Sequence, residues 1–160
     1  LTKIVPPREV YSSVEWPVII LLASVIPLGA ALESNGTTEI IVQILTKYAS
    51  SMEPWLIIAI IMIITMTLSD ILNNTATTLV IAPISIQLAQ TLNLNTDTFL
   101  MAVAVSASCA FLTPIGHKNN TIILGPGGYR FGDYWRMGLV LEVLIIITSI
   151  PLLLIFWPIN

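Results

Sequence analysis

Charge is what this sequence most lacks. Asp, Glu, Lys and Arg make up 9% of its 160 residues, against about 25% in a typical soluble domain. A chain so poor in charge cannot solvate its surface on all sides. The 6 Lys and Arg residues form no stripe, which excludes the electrostatic footprint of a nucleic-acid binder. The sole cysteine, Cys109, excludes an internal disulfide, and with His117 as the only histidine no zinc site can be assembled within the chain. His-Glu-x-x-His, Gly-x-Ser-x-Gly, Cys-x-x-Cys and the phosphate loop are all missing. An enzyme reading therefore has little to stand on.

What is present is hydrocarbon. Hydrophobic residues account for 56% of the chain and mean hydropathy is +0.91, which identifies an all-α integral membrane protein. The chain begins Leu1-Thr2-Lys3 with no signal peptide after it, so the C-terminal part of a longer polypeptide is expected. Residues 1–15 read as a polar linker, and 16–32 as a spanning helix with Trp16 at the interface and a kink at Pro27 and Gly29. Over 37–51, Ile40, Ile41, Ile44, Leu45 and Tyr48 share one side of a helix. Glu39, Gln43, Thr46 and Lys47 share the other. That pattern predicts an amphipathic helix lying in the interface plane. Residues 135–157 read as the last span, with Pro151 and Glu142 inside it.

Two polar interruptions break the apolar runs. The first is Ser69 to Thr78, flanked by Trp55–Leu68 and Leu79–Leu92. Each flank is roughly 15 residues, or about 22 Å of helix, short of the ~20 residues that a full span takes. The spacing predicts a re-entrant hairpin over 55–92 with its polar tip partway into the membrane. An extramembrane loop between two short spans is the alternative. The second interruption lies within 98–124, where Pro114 and Gly116 predict a helix broken over 113–120. Paired, interrupted hydrophobic segments point to a transporter binding site. Asn74 and Thr75 offer amide and hydroxyl groups to it, or cap the second arm. Asp70 is placed to neutralise a cation or pair with Lys118, and Lys118 to attract an anion or snorkel. His117 is a protonation site or a hydrogen-bonding residue. Glu142, charged within a span, is functional or paired. Ser106 and Ser108 read as packing residues.

Asn73-Asn74-Thr75-Ala76-Thr77 followed by Ala82-Pro83 resembles the Ser-Asn-Thr signature of the divalent anion:sodium symporters, within the wider citrate-transporter-like superfamily. Asn73 stands where that signature usually has Ser. Ala107-Ser108-Cys109-Ala110-Phe111-Leu112-Thr113-Pro114-Ile115-Gly116, then Asn120, resembles the family's unwound helix. Gly125 to Tyr134 resembles a loop of bacterial sulfate-permease-like members. The resemblance implies one inverted-repeat half of a secondary transporter, with a re-entrant helical hairpin opening from the outer side and a broken transmembrane helix. It implies substrate contacts from Asn73, Asn74, Thr75, Thr113, His117, Lys118 and Asn120. Sodium would be held by oxygens of Ser69, Asn74 and Gly116, with Asp70 and Glu142 as coupling candidates. The implied activity is sodium-coupled alternating-access transport of a small divalent oxyanion, sulfate or a di- or tricarboxylate. The alternatives are a proton-coupled antiporter or arsenite-type exporter of the same superfamily, or a non-transporting regulatory membrane module. The implied partners are lipid, the missing N-terminal half and a second copy in a homodimer. Placing 1–15 and 125–136 in the cytoplasm, beneath the plasma (inner) membrane, puts Lys3, Arg8, Arg130 and Arg136 inside and only Lys47 outside, with Lys118 left over near the break, in accord with the positive-inside rule.

Overall fold

The computed structural model describes residues 34–49 and 51–159, with isolated positions between 19 and 31. The expected linker, 1–15, and most of the expected span, 16–32, lie outside the described residues. Among the described residues all regular structure is helical: α1 Thr37–Ala49, α2 Pro54–Ile71, α3 Asn74–Thr91, α4 Thr96–Ala107, α5 Lys118–Leu124, a 3-10 turn Phe131–Asp133, and α6 Tyr134–Phe156.

α2 opens with Pro54 in its first turn, where the missing amide hydrogen costs nothing. Its interior is almost continuous Ile and Met. Thr65 and Thr67 are carried in this hydrocarbon because their hydroxyls donate to the carbonyls of Ile61 and Ile63, at 2.7 and 2.9 Å. The helix continues through Ser69 and Asp70. The turn into α3 is only Leu72 and Asn73, both extended. Asn73 caps α3, its Oδ1 accepting from the Ala76 amide at 2.8 Å. The polar stretch expected to form the tip is therefore mostly helical: Ser69 and Asp70 end one arm, and Asn74 to Thr78 begin the other. Each arm is 18 residues, about 27 Å, longer than hydropathy suggested. Ser69, Asp70 Oδ1, Asn73 and Thr78 find partners within the fold, so this stretch need not be a water-exposed loop.

α4 packs against both arms. Ile58, Met62 and Met66 of α2, Leu88 and Ala89 of α3, and Phe99, Ala102 and Val103 of α4 form the buried core. The small residues Ala102, Ser106 and Ala107 let α4 approach closely. Ser106 is closed on itself, its hydroxyl donating to the Ala102 carbonyl at 2.6 Å. At the base of the hairpin Asn93 turns the chain with φ of 56°, a left-handed conformation that Asn tolerates. Asn95 then caps α4 through Asp97 and donates its Nδ2 to the Pro158 carbonyl. Thr98 Oγ1 donates to the Trp157 carbonyl at 2.9 Å. The C-terminal end of α6 is thus pinned beside the α3–α4 turn.

α1 packs on α3 with Thr38, Val42 and Ala49 buried. Ile40, Ile44 and Tyr48, one per turn, are 59, 56 and 62% exposed. The apolar residues of α1 are thus divided: one row seats the helix on the hairpin arm and a second faces outward. α6 buries only Gly138 and Leu153. The segments Pro54–Ile71 and Phe131–Phe156 are long and apolar enough to cross a membrane.

Candidate functional site

The hairpin tip meets an interruption in the helical path. α4 stops at Ala107 and helix resumes only at Lys118. The interruption expected over 113–120 is displaced: Cys109 to Leu112 are already non-helical, and Lys118 to Asn120 are helical. Local sequence holds no break signal at 109–112, and the cause is tertiary. The Leu112 amide donates to Asp70 Oδ1 at 2.9 Å, across 42 residues of sequence. Thr113 Oγ1 donates to the Asp70 carbonyl at 2.7 Å and accepts from the Gly116 amide at 3.0 Å. Asn120 Nδ2 folds back on the break, reaching the carbonyls of Ala110 and Thr113 at 2.9 and 3.0 Å. Thr121 Oγ1 donates to the Pro114 carbonyl at 2.6 Å, and His117 Nδ1 caps α5 by accepting from the Asn119 amide at 3.2 Å. Irregular backbone surrounded by hydrocarbon persists only when its polar groups are met in this way.

On the hairpin side, Ser69 is fully buried. Its Oγ donates to the Ala107 carbonyl at 2.6 Å and lies 3.0 Å from the Asn74 side-chain amide. A hydroxyl carries one hydrogen, so the consistent amide orientation turns Asn74 Nδ2 toward Ser69 and Oδ1 away from it. Beside this pair is a cleft of about 320 Å³ lined by Asn74, Thr75, Thr78, Leu79, Ala107 and Ser108. A larger cavity, about 470 Å³, lies among Ile123, Tyr129, Met137 and Leu141 and offers mainly hydrocarbon and ring faces.

Two glycines set the close approaches. A Cβ on Gly116 would stand 2.9 Å from Ala110 Cβ and 3.1 Å from Asp70 Cα, so its absence lets the break lie against the tip. A Cβ on Gly138 would stand 2.4 Å from the Phe111 carbonyl oxygen, so the backbone of α6 rests on the backbone of the break. One turn further along α6, Glu142 lies in the neighbourhood of Asp70 and Phe111. Each of the two carboxyl groups keeps one buried oxygen, Asp70 Oδ2 and Glu142 Oε1, without a hydrogen-bond partner.

Of the residues singled out in the sequence, Ser69, Asp70, Asn74, Thr113, Gly116 and Asn120 are drawn into one hydrogen-bonded or packed junction. Thr75 borders the cleft. Asn73 is turned to its own helix, and the capping role considered for Asn74 and Thr75 falls to it instead. His117 and Lys118 open α5, the first partly buried and the second exposed. Sequence reasoning missed Thr78 and assigned Ser108 to packing. Ser108 is exposed on the cleft, although its hydroxyl donates to the Ala104 carbonyl at 3.1 Å. Being one turn past Asn74, Thr78 could have been found by helical spacing.

Comparison with known proteins places this junction in a context. The sequence profile of the family described as "Citrate transporter" matches residues 1–159. An uncharacterized transporter of Synechocystis sp. is 37% identical over 154 residues, which is 96% of this chain and 25% of that protein. The sodium-dependent dicarboxylate transporter SdcS of Staphylococcus saprophyticus is 27% identical over 142 residues, 89% of this chain and 27% of that protein. The sodium-dependent low-affinity dicarboxylate transporter 1 of Caenorhabditis elegans is 29% identical over 134 residues, 84% of this chain and 23% of that protein. The chain spans about a quarter of the length of these relatives, all of them named as transporters and none as an enzyme. With a family match that runs almost end to end, over residues 1–159, this chain belongs to the citrate transporter family.

Proposed function

We propose that this chain is the C-terminal repeat of a secondary active transporter that carries a small divalent oxyanion with sodium by alternating access. The observation that supports it most is the junction itself: Ser69, Asp70, Asn74 and Thr113, brought together from two hairpin arms and a helix break in an otherwise apolar chain, with Thr75 on the adjoining cleft. The oxygens of Ser69 and Asn74 and the Gly116 carbonyl suit a sodium ion, a hard cation. Asn73, Asn74 and Thr75 supply amide and hydroxyl donors for the anion, with Lys118 adding positive charge at the mouth of the break, whereas the Nδ2 of Asn120, the hydroxyl of Thr113 and the Nδ1 of His117, expected from the sequence to meet the substrate, are engaged in holding the break and capping α5. Asp70 and Glu142 are the coupling groups. Sodium bound beside the anion cancels charge, so each raises the affinity of the other. A dicarboxylate is favoured over sulfate because sodium-dependent relatives carry that name.

The protein is membrane-embedded in this reading, with 1–15 and 125–136 cytoplasmic and the remaining polypeptide and a second copy as partners. The hairpin is re-entrant. Asp70, near its tip, accepts from the Leu112 amide of the break, and the break lies against Gly138 of α6, about 6 Å along α6 from Tyr134 rather than at its end. Labelling tests this topology. In a Cys109-free background, Glu53→Cys and Asp97→Cys, both exposed at the base, are expected to react with an impermeant thiol reagent added from one and the same side. Reaction from opposite faces would mean two separate spans.

Transport tests the coupling. The full-length protein in proteoliposomes is expected to concentrate succinate, or sulfate, under a sodium gradient and to lose that uptake when choline replaces sodium. Uptake that persists in choline and follows an imposed pH gradient instead would replace the symporter with a proton-coupled exchanger.

A further inference from the structure

We infer that Asp70 is a positioning residue that ties the hairpin tip to the helix break, so that the sodium and anion contacts assemble as one unit. The inference rests on the transport reading above and adds to it a specific physical link. Asp70 is 3% exposed and sits between the end of α2 and the break. Both its polar ends cross that boundary. Its side chain takes the Leu112 amide through Oδ1, and its main-chain carbonyl takes the Thr113 hydroxyl. Thr113 then passes the constraint on, accepting the Gly116 amide. The neighbouring Ser69 makes a parallel tie to the Ala107 carbonyl.

Residues 109–117 have no helical ladder to hold them. Their shape depends on side chains that meet their backbone groups, and among these the Leu112 amide is given to Asp70, from the hairpin. Without that acceptor a buried amide is orphaned and the break relaxes. The Gly116 carbonyl and Thr113 would then lose their fixed distance from Ser69 and Asn74. Sodium bound at the tip would no longer prepare the anion contacts on the break, because a coupling free energy needs a shared element that both sites bias. In this role Asp70 works through an acceptor oxygen and not through its charge. Asn supplies the same oxygen, whereas Ala supplies none.

The test measures succinate affinity of the full-length protein in nanodiscs, with and without saturating sodium, for wild type, Asp70→Asn and Asp70→Ala. Amide hydrogen exchange over 109–117 is followed in parallel. Asp70→Ala is expected to cut the sodium-induced gain in succinate affinity by roughly 10-fold and to accelerate exchange at Leu112 and Gly116. Asp70→Asn is expected to restore most of both. If Asn fails as completely as Ala, Asp70 acts through its charge and the inference is overturned. Equally, unchanged exchange and coupling in folded Asp70→Ala would overturn it. If wild type itself shows no sodium effect, the symport reading falls. Exchange at Leu112 in the same variants then decides separately whether Asp70 holds the break.

Discussion

Asn74→Ala is expected to weaken the sodium dependence and the anion dependence of uptake together. Asn74 begins α3 at the cleft, with its amide against Ser69 on one side and open to the cleft on the other. Alanine removes a side-chain oxygen and the amide donors from a place that water cannot freely refill. A hydrogen bond to a charged group is typically worth about 1.5–3 kcal/mol, or roughly 10- to 150-fold in affinity. Because one side chain faces both proposed solutes, both half-saturation constants should rise. Thr75→Val keeps the shape, removes the hydroxyl and should act in the same direction. Ser106→Ala is the control, since that hydroxyl is spent on its own helix at Ala102. Helix capping is a poor rival explanation, because the cap is Asn73. Uptake kinetics alongside the amount of folded protein in the membrane separate the outcomes. Wild-type sodium and anion dependence in Asn74→Ala at normal expression would refute the shared tip site.

Gly138→Ala is expected to be strongly destabilising. The added Cβ would fall 2.4 Å from the Phe111 carbonyl oxygen and 2.7 Å from its carbon. Overpacking generally costs about 1–3 kcal/mol, and here the obstacle is main chain, which cannot rotate away as a side chain can. The break is also held on its other side, where Asp70 accepts from the Leu112 amide. Either α6 lifts away from the break or the break is pushed into the hairpin tip. A loss near the upper end of that range lowers the melting temperature measurably, by less than the roughly 6–12 °C that about 2–4 °C per kcal/mol gives for a domain of 150–250 residues, because the full-length protein is larger. Transport should fall with it, because Glu142 is carried on the same face of α6 one turn away. Val140→Ala, at a position 57% exposed, serves as the comparison and should change little. A thermal unfolding series on the full-length protein in detergent checks both. An unchanged midpoint for Gly138→Ala would mean that α6 does not rest on Phe111.

Some features were legible because they depend on composition and period. The low charge and long apolar runs identify helices suited to lipid, and α2 starts at Pro54 and α6 ends at Phe156 beside the ends of those runs, while α2 runs on to Ile71 and α3 begins already at Asn74, inside the polar stretch. Asn95 before Thr96-Asp97 is a helix start that local chemistry explains. The two polar interruptions were also visible, since Asn-Asn-Thr and Thr-Pro-x-Gly are unusual between apolar runs. Their internal structure was not. Hydropathy alone assigned Ser69 and Asp70 to a tip because polar residues in lipid call for water or a loop, and it could not register that Ala107 and Leu112 would meet them.

The sequence by itself thus determined an apolar helical chain, the existence of two polar interruptions and the residue types available for a polar site. Those follow from local propensity and from the transfer free energy of side chains, which act over a few residues. Tertiary structure alone decided that α4 stops at Ala107, that Asp70 faces the break, and that Gly116 and Gly138 mark close contacts. Each of these rests on a hydrogen bond or a van der Waals approach between residues dozens of positions apart, such as Asp70 and Leu112. Burial forces every polar backbone group to find a partner, but only the packed arrangement of helices determines which partner is within reach.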